Sequence, residues 1–169
     1  ILSENWLLFL SENSLSQNLV TAIQSQGHNC IQVHTNDQYQ QIDSQHYQLN
    51  PSQPEDYQQL IQALTNTALP IKGIVYLYDI EQPSTQAILH LVQALAQSRF
   101  SADLWLVTQG VQIINQQPTS PIQFSSTQQS TLWGLGRVIA LEHPELNCRR
   151  IDLDPATDEI DQLIQDILS

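Results

Sequence analysis

Lys72 is the lone lysine of this 169-residue chain. A tyrosine placed four residues before a lysine can protonate a developing alkoxide, because the ammonium lowers the phenol pKa. The residue four before Lys72 is Ala68, and neither Tyr76 nor Tyr78 is followed by a lysine. The chain therefore has no tyrosine–lysine pair. A dinucleotide pyrophosphate needs glycines at a strand-to-helix turn, where its oxygens approach backbone N–H groups. The turn after the first apolar run is Ser11-Glu12-Asn13-Ser14, which has no glycine and sets Glu12 against a phosphate. Gly134-Leu135-Gly136 falls inside a helical pattern, where two small residues let a buried helix approach its neighbour closely.

Other chemistry is equally hard to assemble. His28, His34, His46, His90 and His143 are scattered, with no HExxH and no close pair to ligate zinc. Ser125 and Ser126 lack the GxSxG elbow of a nucleophilic serine. Asp79 and Glu81 follow an apolar run, where α/β proteins often bind ligands, so two carboxylates there could hold a metal. The same pair also fits a solvated strand end. A phosphate-accepting receiver domain needs an acidic pair after its first strand and a late lysine, and Glu12 alone does not supply them. Cys30 and Cys148 form no CxxC and read as reduced thiols in or beside strands. We expect no catalytic, cofactor-binding or metal-binding residue in this chain.

These residues must be carried by a frame of alternating elements. Trp6–Leu10 is a continuous apolar run, as in a strand covered on both faces. Ser14–Gln26 is an amphipathic helix with Leu15, Leu19, Val20 and Ile23 on one side, and Gly27 stops it. Cys30–His34 is a second strand. Residues 36–52 are polar, with alternation at Ile42, Tyr47 and Leu49 suggesting an irregular strand pair that ends at Pro51. Pro54 opens a helix lined by Tyr57, Leu60, Ile61 and Leu64. Ile71–Leu77 is a strand, and Ser84 caps a helix carrying Ile88, Leu91, Val92 and Leu95. Leu104–Thr108 is a strand, residues 109–127 a polar loop, and Gln128–Leu141 a helix that is apolar nearly all round and stops before Pro144. Arg149–Leu153 and Asp158–Leu168 complete the series as strand and helix. Five main strands alternating with five helices predict one open α/β domain with a parallel sheet and helices on both faces.

Composition narrows the partners. Hydrophobic residues make up 41%, enough for one core, and charged residues only 13%. The net charge is −12, with five Lys plus Arg. A chain without a basic stripe is a poor ligand for nucleic acid, or for an anionic membrane surface. No run of about 18 apolar residues is present to span a membrane, and we expect a cytoplasmic protein. The opening Ile1-Leu2-Ser3-Glu4 has no initiator Met and no cationic leader, and the sequence stops at Ser169 within a helical pattern, so both ends are expected to be cuts from a longer polypeptide.

The segment Ser130–Asp154 (STLWGLGRVIALEHPELNCRRIDLD) resembles a stretch of modular polyketide synthase ketoreductases, with a related one in animal fatty acid synthases. Trp6–Leu10, Tyr47–Pro51, Lys72–Leu77 (KGIVYL) and Leu104–Gly110 (LWLVTQG) match in order and spacing, so the resemblance covers nearly all of the chain. In that family a ketoreductase has two halves of short-chain dehydrogenase-like fold. The first is truncated, binds no cofactor and supports the second, which carries the NADPH loop and the catalytic Ser, Tyr and Lys.

The resemblance is to the first half, the N-terminal structural subdomain, and it implies a single truncated Rossmann-like α/β domain with a mostly parallel sheet and helices on both faces. It implies no catalytic residue and no cofactor in residues 1–169, with NADPH in the companion half of the same polypeptide. It also implies an indirect relation to an acyl carrier protein that presents β-ketoacyl chains. Trp133, Leu135 and Ile139 are the expected contact with the companion half, and they fit an internal core equally well. Burial there would contribute at most about 1.5–3 kcal/mol per large side chain. Two other readings stay open: a structural remnant beside an inactive pseudo-ketoreductase in a methyltransferase-containing module, and an independent α/β domain that binds its own partner.

Overall fold

A computed structural model of the chain describes residues 3–10, 14–67, 70–77, 85–109, 134–153 and 165–167. The strands are β1 (Asn5–Phe9), β2 (Asn29–Thr35), β3 (Gln40–Gln41), β4 (His46–Leu49), β5 (Ile71–Leu77), β6 (Asp103–Gln109) and β7 (Arg149–Leu153). The helices are α1 (Ser14–Ser25), α2 (Pro54–Asn66) and α3 (Thr85–Gln97), with residues 134–142 forming a further helix, α4. A short 3-10 turn at Pro144–Leu146 follows α4, and residues 165–167 are also helical.

The seven strands form one sheet in the order β3-β4-β2-β1-β5-β6-β7. All pairings are parallel except β3 with β4. Chain direction across the sheet reverses between β1 and β5, which defines the switch point of a doubly wound fold. The expected α/β architecture is thus observed. The irregular segment of residues 36–52 resolves into the β3–β4 hairpin, with β4 extending the sheet beyond β2. Proline at the first turn of α2 and a positive φ of 88° at Gly27 mark the expected helix start and stop. Ser84, residues 128–133 and most of Asp158–Leu168 lie outside the described residues.

Alternation along the strands divides the core into two layers. On one face Leu7, Phe9, Ile31, Val33, Ile74, Leu104 and Leu106 meet the apolar sides of α2 and α3, together with Ile139 of α4. On the other face Trp6, Leu8, Cys30, Val75, Trp105 and Val107 meet Leu19 and Ile23 of α1, and Ile167. Both faces are covered, which is why the strands read as continuous apolar runs.

Candidate functional site at the carboxyl ends of the strands

In a doubly wound sheet the ligand crevice lies beyond the carboxyl ends of the strands at the switch point. Here that place is bordered by the ends of β1 and β5, where Phe9 and Tyr76 are register partners. Their rings stack with centroids 5.7 Å apart, and Phe9 stacks on Tyr57 of α2 at 6.1 Å. Tyr57 in turn lies 6.2 Å from the ring of His90 on α3. The four rings tie the ends of the two central strands to both helices on that face. Leu10, next along the chain, donates its N–H to the Val33 carbonyl at 3.0 Å, closing β1 against β2.

The end of β2 is held by a polar network. Asn36 donates its N–H to Leu49 O at 2.8 Å and its side-chain amide to Gln48 Oε1 at 2.6 Å. The Asn50 N–H is accepted by an Asp56 carboxylate oxygen at 2.8 Å, and the Asn50 amide donates to Asp37 O at 3.2 Å. These bonds fasten the connection after β2 to β4 and to the first turn of α2.

Electrostatics at this end run against proton transfer at neutral pH. Burial is the largest cause pushing the Tyr57 phenol above its ordinary value, and Tyr76 and Asp56 push in the same direction. Tyr39 and Tyr47 also move up, again chiefly by burial. Lys72, which could lower a phenol, is exposed on β5 four residues from Tyr76, about 13 Å along the strand. Both thiols are pushed up to about 11 by burial. Cys30 sits in the layer beneath α1, while Cys148 packs against the opposite layer. Among the described residues no three His, Cys, Asp or Glu come together as metal ligands, and no helix is long and apolar enough to cross a membrane. Glu12, Tyr78, Asp79, Glu81, Ser125 and Ser126 lie outside the described residues.

The residues read from the sequence as a contact with a companion half are placed as follows. Trp133 lies outside the described residues. Leu135 is half-buried and packs on the layer formed with α2 and α3, and Ile139 lies within that layer at 2% exposure. A side chain so enclosed has almost no area left for a partner, so Ile139 takes the core role that its spacing also allowed. Gly136 alone serves the close helix packing. A Cβ there would stand 2.7 Å from Cδ of Arg150, whereas one at Gly134 would meet nothing within 4 Å. The ring group of Phe9, Tyr57 and Tyr76 was not read from the sequence. Strand periodicity could have set Phe9 and Tyr76 near strand ends, but nothing local reveals that the three meet.

The fold is the Rossmann-like α/β fold that the short-chain dehydrogenases also have. It aligns with a protein described as a short-chain alcohol dehydrogenase from Burkholderia multivorans at a TM-score of 0.69 and 14% identity, covering 99% of this chain and 91% of that one. An N-terminal ketoreductase from the macrolactin assembly line aligns at a TM-score of 0.66 and 15% identity, over 90% of this chain and 33% of that one. The chain belongs to the family described as beta-ketoacyl synthase-like, N-terminal, whose model matches residues 4–169. Polyketide synthase GfsA of Streptomyces halstedii is 34% identical over 120 residues, 62% of this chain. The chain spans only 1% to 5% of the lengths of the polyketide synthases it matches.

Proposed function

We propose that this chain is the non-catalytic structural half of a polyketide synthase ketoreductase. It supports a companion half in the same polypeptide that reduces β-ketoacyl chains held on a carrier protein. The observation that carries this reading is one of proportion. The chain accounts for nearly the whole of a short-chain dehydrogenase but only a third of a ketoreductase chain. A ketoreductase of that length has room for a second unit of the same size.

The residues of this chain do not fit a nicotinamide cofactor. At the switch point the strand ends are bound together by stacked Phe9, Tyr57 and Tyr76, and the sequence after β1 offers Glu12 and no glycine. Nor does the chain present the groups of a condensing enzyme, despite its family's description. A thiol that takes up an acyl chain must be accessible and readily ionised, and Cys30 and Cys148 have thiols near 11 in opposite layers. NADPH bound in the companion half would supply the hydride. This half contributes rigidity, since a reductase site loses rate when its binding groups shift by fractions of an ångström.

The test is to produce the companion half with and without residues 1–169 and follow NADPH-dependent ketone reduction. The reading requires that the companion lose activity and thermal stability when alone and regain them on addition of this chain. Equal folding and reduction in its absence would remove it.

A further inference from the structure

At the amino ends of the strands, opposite the ring group, His28 joins the end of α1 to the start of β1. Gly27 N–H is accepted by Gln24 O at 3.0 Å and His28 N–H by Ile23 O at 3.4 Å, which closes the carboxyl end of α1 and fixes the His28 main chain there. The half-buried His28 ring reaches across to the residue before β1, and its Nδ1 accepts the Glu4 N–H at 3.1 Å. The Glu4 carbonyl accepts the Asn29 N–H at 2.9 Å, so consecutive residues 28 and 29 hold both main-chain groups of Glu4. Around them the Asn29 amide donates to Ser3 Oγ at 3.3 Å and to Asn5 Oδ1 at 3.2 Å, and the Asn5 amide donates to Pro70 O at 3.0 Å. Of these side chains only His28 can change its protonation near neutral pH.

A backbone N–H donates only to a ring nitrogen that carries no proton, so neutral His28 keeps its hydrogen on Nε2. A second proton must go to Nδ1, where it would set one donor against another. The opposite holds at His46 and His143, where carboxylates of Asp43 and Glu145 face Nδ1 at 2.9 Å and 3.3 Å and keep a proton there. Among the described residues no carboxylate lies within ion-pair distance of His28. The titratable groups on the elements that meet here are Glu4 itself, Cys30 and His34 on β2, and Lys72 on β5, while α1 has none. We propose that His28 is a proton-operated clasp: neutral, it fastens Glu4 to the end of α1, and protonated, it lets Glu4 go. Imidazoles take up their second proton at about pH 6–7, so the clasp is closed above that range and open below it. The change is local. The Asn29 bonds persist and β1 stays in the sheet, while the main chain at Ser3 and Glu4 is freed.

The experiment follows two signals from the full chain labelled with nitrogen-15. At pH 8 the imidazole shifts of His28 should show a bare Nδ1 and a protonated Nε2. Exchange of the Glu4 amide with water, measured against the same amide in an unstructured peptide, should lose about fivefold of its protection between pH 8 and pH 5, the effect of one hydrogen bond. His28→Asn puts an amide oxygen, which does not titrate, where Nδ1 stood, and His28→Ala removes the acceptor. Glu4 protection should then be independent of pH in both variants, and low in the second. Every other titrating group is the same in these chains, so the difference belongs to His28. Glu4→Gln should leave the response intact, because the clasp uses only the main chain of residue 4. A proton on Nδ1 at pH 8, equal protection at the two pH values in the natural chain, a pH dependence that survives His28→Asn, or one that vanishes in Glu4→Gln would each overturn the clasp.

Discussion

Trp6 and Gly73 face each other across β1 and β5, and the indole fills the space that any side chain at Gly73 would need. This contact places a large ring at the centre of the sheet, beneath α1, and it makes Gly73 obligatory for a steric reason. Gly73→Ala should destabilise the chain by about 1–3 kcal/mol through overpacking, read as a lower urea midpoint with unchanged slope. Trp6→Phe in the same chain should restore part of the loss. The smaller ring makes room, and it removes a buried indole N–H that has no hydrogen-bond partner.

The ring group at the strand ends should behave as structure. Phe9→Ala or Tyr57→Ala should cost about 3–5 kcal/mol, because each leaves a cavity between the sheet and the helices over it. Tyr57→Phe should cost much less, since stacking persists. Thermal unfolding of the three variants provides the check. A Tyr57→Phe loss as large as that of Tyr57→Ala would show that the hydroxyl, and not the ring, is the important group.

Much of this frame was legible in advance. The apolar runs at Trp6–Leu10, Ile71–Leu77 and Leu104–Thr108 could only be strands covered on both sides, and that fixes a parallel sheet with two layers of helices. Tyr57, Leu60, Ile61 and Leu64 showed the buried side of α2 at helical spacing, and all four are buried. The orientation of α4 was not legible. Its apolar residues run nearly all round, so periodicity assigns no inward side. Only the packing of Gly136 on Arg150 and Leu106 turns Ile139 in and Leu141 out. The meeting of Phe9, Tyr57 and Tyr76 was hidden for a related reason, because residues far apart in sequence are joined by strand order that no local pattern carries.

The cysteines give a chemical readout of the two layers. With thiols pushed up to about 11 by burial, Cys30 and Cys148 hold little thiolate at pH 8. Alkylation of the folded chain by iodoacetamide should run on the order of a hundredfold slower than that of an ordinary cysteine, and accelerate as pH approaches 11. Both should react rapidly once the chain is unfolded in urea. Mass spectrometry of quenched samples measures each site.

Acid should reach the β3–β4 hairpin through Asp43. Its carboxylate accepts the Gln45 N–H at 2.8 Å and faces the His46 ring at 2.9 Å, and these partners, the Gln45 N–H foremost, hold its pKa below the ordinary 3.8. A carboxyl depressed in the folded state stabilises above its unfolded pKa, and that contribution is lost as pH falls through the folded value. Asp43→Asn should therefore lower the melting temperature slightly at pH 7, with the difference from the natural chain closing below about pH 3.8. A difference that widens on acidification would contradict this.

As the structural half proposed above, this chain should bind no nicotinamide cofactor. Calorimetric titration of NADPH into the purified 169-residue chain tests it most directly. The account predicts no saturable heat at NADPH concentrations up to about 1 mM, a limit corresponding to roughly −4 kcal/mol of binding free energy. A one-to-one isotherm with micromolar dissociation would contradict it.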